Sequence, residues 1–240
     1  MVFSKRGSGY VIKKRYKDAI SDFNKALEGY RKDQFKRGEF FTYNKISDCY
    51  REMNAMEEAA GYILKIINHP EFNAMPWTNK ALMYDKLAFI YLKTRKYPKA
   101  LEYFKTAQAH CPSNNLNLMK QIKANTAMAL FFLHRTGEAQ ATAEEVIGDG
   151  NNMNAYRQRD AYYVVGLCYF EKKDFIKAKD RLTTAIITAT RIDSAGAGNA
   201  HNFDVLADAK KRSALWNFKT IIRRNPIHCW KRVIRKSKRN

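Results

Sequence analysis

The residues that most often carry chemistry are sparse in this chain and poorly placed for it. The histidines are His69, His110, His134, His201 and His228. None is accompanied by the acidic or cysteine residues that would complete a metal site or a proton relay. His69 and His110 fall near predicted helix ends, where an imidazole meets the negative end of the helix dipole. Gly7-Ser-Gly9 lacks the Lys-Ser/Thr partner of a phosphate loop, and Gly196-Ala-Gly198 follows no strand. Neither G-x-S-x-G nor H-E-x-x-H occurs. Glu57-Glu58 and Glu144-Glu145 are neighbours on predicted helices, so each pair diverges and reads as a solvated face. The expectation is a non-enzyme with no catalytic residue, no cofactor and no metal.

Cys49, Cys111, Cys168 and Cys229 are spread along the chain with no C-x-x-C, which supports neither a zinc site nor a disulfide scaffold. Free thiols fit a reducing compartment. No apolar run opens the chain and no stretch approaches the length of a membrane span. The expected location is intracellular and cytoplasmic, with an organelle matrix or the nucleus as alternatives.

Charge supplies the one pattern with chemical content. The net formal charge is +21, from 44 basic and 23 acidic residues. From Ala209 to the end there are 12 Lys/Arg and no Asp or Glu, so +12 lies there and +9 lies in the first 208 residues. Arg223, Arg224, Lys231, Arg232, Arg235, Lys236, Lys238 and Arg239 surround Trp230, Val233 and Ile234. Cations beside an aromatic suit a phosphate backbone, because they displace counterions while the ring stacks on a base. The same residues suit an acidic protein, a localisation signal, an anionic membrane surface or a solvated tail. A nucleic acid or another acidic partner is the expected ligand of this tail.

The elements that would position any site follow from a repeat. Small residues recur at Ala19, Ala59, Ala100, Ala139 and Ala178, at intervals of 40, 41, 39 and 39. Twelve positions before them stand Gly7, Ser47, Ala88, Ala127 and Gly166. Nine before stand Tyr10, Tyr50, Tyr91, Leu130 and Tyr169. Four after stand Phe23, Ile63, Phe104, Ala143 and Leu182; seven after stand Ala26, Ile66, Ala107, Val146 and Ala185. Positions i, i+4 and i+7 share a helix face. Two helices approach closely only where one side chain is small. The pattern predicts about five helical hairpins, at residues 1–33, 40–73, 81–114, 120–153 and 159–192. The fourth, with Leu130 and Ala143 in aromatic positions, is expected to be the least tightly packed. Thr78, Ser113 and Asp160 are expected to be N-caps. After a joint at 193–202, Ala214, Leu215, Phe218, Ile221 and Ile222 predict an amphipathic capping helix over 203–224. Pro226 ends that helix, and the basic tail occupies 225–240.

Tyr84, Leu87, Ala88, Tyr91, Ala100, Phe104, Ala107 and Pro112 follow W-x2-L-G-x2-Y, A-x3-F and P, with Tyr for Trp and Ala for Gly. Residues 1–192 therefore resemble the tetratricopeptide repeat (TPR) family. The period of about 40 is similar to the longer repeats of kinesin light chains. The extra residues are expected to lengthen helices or loops such as His69 to Asn79. The resemblance implies an all-α, right-handed superhelical solenoid whose first helices line a concave groove. By register that groove holds Phe41, Asn44, Asp48 and Arg51, then Asp85, Phe89 and Lys93, then Met128, Phe131 and Phe132, then Tyr163, Leu167 and Phe170. The lysine–asparagine clamp of chaperone-binding relatives is absent: Asn44, Asp48, Asp85 and Phe89 stand at those positions. The apolar members suit an amphipathic helix, unless the chain buries them against its own neighbours or folds the 203–224 helix onto them. The expected function is a non-enzymatic scaffold or adaptor that binds a protein segment in the groove. The alternative is an RNA-associated component of a ribonucleoprotein or organellar ribosome.

Overall fold

The computed structural model describes residues 2–148 and 155–194, together with Asp208 and Lys211. Among the described residues there are ten α-helices: α1 (Val2–Ile12), α2 (Tyr16–Lys32), α3 (Lys36–Glu52), α4 (Met56–Ile67), α5 (Trp77–Lys93), α6 (Tyr97–Ala109), α7 (Leu116–Phe132), α8 (Thr136–Ile147), α9 (Ala155–Glu171) and α10 (Phe175–Ser194). A short 3-10 helix, Pro70–Ala74, lies between α4 and α5. No strand occurs among the described residues. The last helix thus runs two residues beyond 192, where the repeats were expected to end.

The chain divides into two compact units, the first ending at His134 and the second beginning at Arg135. The division falls between α7 and α8, inside the fourth repeat. In the first unit α1 packs on α2, α3 on α4 and α5 on α6, and the pairs are joined through α2–α3, α4–α5 and α6–α7. In the second unit α9 pairs with α10, and α8 packs on α9.

Each hairpin turns in the same way. Lys14, Asn54, Arg95, His134 and Lys173 have φ of 57°, 61°, 60°, 58° and 62°, and each stands five residues before a small residue of the repeat. The left-handed residue reverses the chain. In four of the turns the following amide donates to the carbonyl of a repeat tyrosine: Arg15 to Tyr10 at 2.9 Å, Ala55 to Tyr50 at 2.9 Å, Lys96 to Tyr91 at 2.9 Å and Asp174 to Tyr169 at 3.0 Å.

The predicted register holds. Ala19, Ala59, Ala100, Ala139 and Ala178 are all buried, as are every residue named four and seven positions after them. The small residues twelve positions before are small for steric reasons. A Cβ on Gly7 would lie 2.9 Å from the Phe23 ring, and one on Gly166 would lie 2.8 Å from Leu182. Ser47 turns its polarity inward by donating to the Ala59 carbonyl at 2.8 Å. Ala100 is fully buried, so Ala100→Phe is expected to overpack the third hairpin and cost about 1–3 kcal/mol in urea unfolding. Unchanged stability would contradict this register.

Two of the second-helix tyrosines escaped the repeat pattern. Tyr62 stacks on Tyr50 with centroids 5.7 Å apart and lies 6.0 Å from Tyr43. One repeat later, Tyr103 stacks on Tyr91 at 5.5 Å and on Tyr84 at 6.2 Å. The aromatic wedge is therefore a three-ring cluster repeated in consecutive hairpins.

The expected caps require correction. Helix α5 starts behind Pro76, which places Thr78 inside its first turn. Helix α7 is capped by Asn115, whose Oδ1 accepts from the Leu118 amide at 3.1 Å, while Ser113 sits in the preceding turn. Asp160 lies inside α9 and pairs with the buried Arg159 guanidinium at 2.6 Å. A buried cation needs a carboxylate more than a helix end needs a cap.

Candidate functional site

The face of the first unit formed by α3, α5 and α7 brings together residues far apart in the chain. Lys86 Nζ, on α5, donates to Asn44 Oδ1 at 2.6 Å and to Asp48 at 2.8 and 3.0 Å, both on α3. Burial depresses the Lys86 ammonium below the usual lysine range, and the Asp48 carboxylate opposes that shift. Arg51 pairs with Asp48 at 3.6 Å and with Glu52 at 3.2 Å. One repeat on, Asp85 Oδ2 accepts from Gln121 at 2.6 Å and its Oδ1 from Asn125 at 3.1 Å, both on α7. Successive first helices are thus tied by side-chain bonds, and the expected groove positions Asn44, Asp48 and Asp85 serve as those ties.

One accessible part of this face lies at the start of α3. A cavity of about 550 Å³ opens there, with Phe40, Ile66, Met75, Pro76, Leu82 and Met83 among its lining residues. Phe41 and Asn44 line it too, with Lys36, Arg37 and Glu71. Its volume is in the range of sites that seat a small molecule or an anchoring side chain. Lys36 is engaged with Glu39 at 3.0 Å. Arg37 and the Glu71 side chain are exposed and have no ionic partner among the described residues.

The far wall of the cavity is the segment between α4 and α5 that the sequence left as a long loop. Phe72 pins it, buried to 3% exposure and edge-on to Tyr84 at 5.5 Å. His69 Nδ1 accepts from the Glu71 amide at 3.1 Å, and the His69 ring meets Phe40 edge-on at 4.9 Å. Lys80 Nζ donates to the Asn73 carbonyl at 2.6 Å, bolting the 3-10 helix to α5. Pro70 and Pro76 bracketing Phe72 were the available signal: an aromatic between two prolines marks an ordered, partly buried turn rather than an open loop.

Several expected groove residues are core. Asp85, Met128 and Phe131 in the first unit, and Tyr163 and Leu167 in the second, are buried. A first-helix side chain aimed at the neighbouring first helix is covered by it, and helical period alone does not separate that direction from the open one. Phe41 and Phe132 are exposed; Asn44, Asp48, Arg51, Phe89, Lys93 and Phe170 are half-buried. The Tyr163 hydroxyl donates to Asp208 at 2.5 Å. Apart from Asp208 and Lys211, the segment 203–224 lies outside the described residues, as does the whole basic tail, Arg223 to Arg239 included.

Among the described residues no group of three or more His, Cys, Asp or Glu side chains could hold a metal. Cys49, Cys111 and Cys168 are free thiols. No helix among the described residues is long and apolar enough to cross a membrane.

These hairpins, with their small-residue crossings and aromatic wedges, have the fold of a TPR-like helical-repeat protein. Among solved structures, the chain is similar to a putative kinesin light chain from Podosopora anserina with nearly identical TPR-like repeats, at 12% identity, 79% of this chain, 94% of that one and a TM-score of 0.61. It is similar to BtubC (BKLC) from P. vanneervenii at 19% identity, with 82% and 80% of the two chains covered and a TM-score of 0.61. It is also similar to MamA, at 16% identity, 78% and 96% coverage and a TM-score of 0.55. The sequence matches no protein-family model and no curated protein.

Proposed function

We propose that this protein is a non-enzymatic scaffold that holds a segment of another protein against the α3–α5 face of its first unit. The observation that supports this reading is the cavity of about 550 Å³ at the start of α3, apolar in its walls, with Arg37 and Glu71 uncompensated among its lining residues. One large apolar side chain seated there contributes about 1.5–3 kcal/mol. The charged lining selects the flanking residues of the bound segment by sign. Phe41, 44% exposed, extends the apolar surface outward from the cavity.

The test is a photo-crosslinking amino acid placed at Phe41 and, as control, at Lys17 on α2, with adducts from native extract identified by mass spectrometry. A dominant protein adduct specific to position 41, resistant to nuclease and weakened at least tenfold by Leu82→Glu, is the expected result. Identical adducts from both positions would overturn the reading. Adducts that disappear with nuclease would favour the ribonucleoprotein alternative.

A further inference from the structure

We propose that the tip of the α5–α6 hairpin, together with the end of α7, binds single-stranded nucleic acid, through its phosphates and one stacked base. This surface is separate from the cavity at the start of α3 and does not depend on the basic tail.

Between Lys86 and His134 the chain carries eight Lys/Arg and a single carboxylate, Glu102. Four of the cations, Lys93, Arg95, Lys96 and Lys99, fall within seven residues at the tip, and Arg95, Lys96 and Lys99 are exposed. None of these three has an ionic partner among the described residues. The Lys99 ammonium lies over the Tyr91 ring, 6.0 Å from its centroid. The α1–α2 tip also carries exposed lysines, Lys13, Lys14 and Lys17, with Arg15 held by Asp18 at 2.8 Å, but its neighbouring ring, Tyr10, is covered by the Arg15 guanidinium at 4.8 Å. At the α3–α4 tip Arg51 is held by Asp48 and Glu52, with Glu57 and Glu58 following. Uncompensated cations crowded on one turn repel one another, and a chain of phosphates relieves that repulsion while releasing its own counterions.

The tip is also fixed in shape. Arg95 takes φ 60°, its amide donates to the Leu92 carbonyl at 3.1 Å, and the Lys96 amide donates to the Tyr91 carbonyl at 2.9 Å. The cations therefore project from a defined turn and not from a loose loop.

Aromatic surface stands directly beside them. Tyr97 follows Lys96 in the chain and stacks on Phe132 of α7, with centroids 4.9 Å apart and planes 13° from parallel. Phe131 meets Phe132 edge-on at 5.6 Å, which fixes the ring from a second side. Phe132 nevertheless keeps 38% of its surface exposed. An immobilised, half-open ring next to three free cations is the combination that single strands use: phosphates on Lys/Arg and a splayed base on the ring. An acidic protein segment would use the cations but would leave the ring without a role. A duplex would offer no open base face.

The test uses the full chain and fluorescein-labelled 12-nucleotide oligo(U) followed by anisotropy across a salt series. The triple variant Arg95→Glu/Lys96→Glu/Lys99→Glu is compared with Lys13→Glu/Lys14→Glu/Lys17→Glu, an equal charge change at the α1–α2 tip. Phe132→Ala and Phe132→Leu remove the ring, the second keeping an apolar contact on Tyr97; circular dichroism verifies folding of each variant. The first triple variant is expected to weaken binding at least tenfold and to flatten the log–log salt slope by about two, because each single-strand phosphate contact contributes about 0.7. Both Phe132 variants are expected to weaken binding about fivefold or more with the slope unchanged. Equal loss from the two triple variants would overturn the proposal in favour of net charge or the tail. Displacement by polyglutamate as effective as by unlabelled oligo(U), with no effect of Phe132 substitution, would replace nucleic acid by an acidic protein segment. Equal affinity for a 12-base-pair RNA duplex would remove the stacking step and sink the proposal. Oligo(dT) as a further arm separates RNA from DNA as the source of the strand.

Discussion

Between pH 8.5 and pH 10 the folded protein is expected to lose about 2–3 kcal/mol of stability through Cys49 and Cys168 alone. Both side chains are buried, at 1% and 0% exposure. Burial pushes the Cys49 thiol up to about 11, with Asp48 adding to the shift. Burial pushes the Cys168 thiol up to about 12, with Glu171 adding to it. In the unfolded chain each thiol ionises near pH 8.5. Above that pH the unfolded state releases two protons that the native state retains, so the unfolded state binds fewer protons and stability falls as pH rises. The fall continues until the native thiols themselves ionise. Burial raises Tyr62, Tyr84 and Tyr103 as well, which adds in the same direction at higher pH. Lys86, depressed by burial, acts in the opposite direction. Urea unfolding at a series of pH values measures the effect, and Cys49→Ala/Cys168→Ala isolates it. The double variant should show a flatter decline between pH 8.5 and 10. Superimposable pH dependences for the two proteins would mean that the thiols are not shielded as the packing implies. Because Cys49 lies in the first unit and Cys168 in the second, single variants assign the loss to each unit.

Phe104→Ala is expected to cost about 3–5 kcal/mol, by lost transfer energy and by the cavity left behind. Phe104 is fully buried, four residues after Ala100 on the inner face of α6. Phe23, the same repeat position in the first hairpin, shows what this ring does: its edge lies against Gly7, leaving no room for a Cβ. Removing it opens the interface between paired helices, and the surrounding helix backbones close only part of the gap. The comparison that makes the experiment informative is Phe132→Ala. That change deletes the same atoms from a ring 38% exposed and is expected to cost much less. Thermal and urea unfolding of both variants should separate them by at least about 2 kcal/mol. Equal losses would show that the second-helix register does not set the core.

The scaffold reading and the tip proposal concern different chemistry on one unit. The cavity at the start of α3 is apolar and lined with charges of both signs, which suits a side chain presented by a protein. The α5–α6 tip is cationic and aromatic, which suits a strand of phosphates and bases. Crosslinking from Phe41 and anisotropy with oligo(U) therefore test the two independently.

The repeat was legible from residue types because its constraints are local. Ala19, Ala59, Ala100, Ala139 and Ala178 had to be small where helices cross, and the residues four and seven positions on had to be apolar; all of them are buried. The turns were harder to read, because Lys14, Asn54, Arg95, His134 and Lys173 include no glycine to announce a left-handed residue. Residue types and their spacing were enough to give the all-α hairpin fold and to place the inner faces. Which inner-face residues remain open depends on the packing of one helix against the next. Met128, Phe131 and Leu167 carry the same apolar signal as Phe41 and Phe132, yet the first three are buried and the last two are exposed. Helical period assigns a direction around one helix axis, whereas burial depends on what the next helix brings opposite. For the same reason the bonds from Lys86 to Asn44 and Asp48, across 42 and 38 residues, and the wall built by Phe72 had no signature in the repeat. They arise from contacts between elements, and those contacts exist only once the chain has packed.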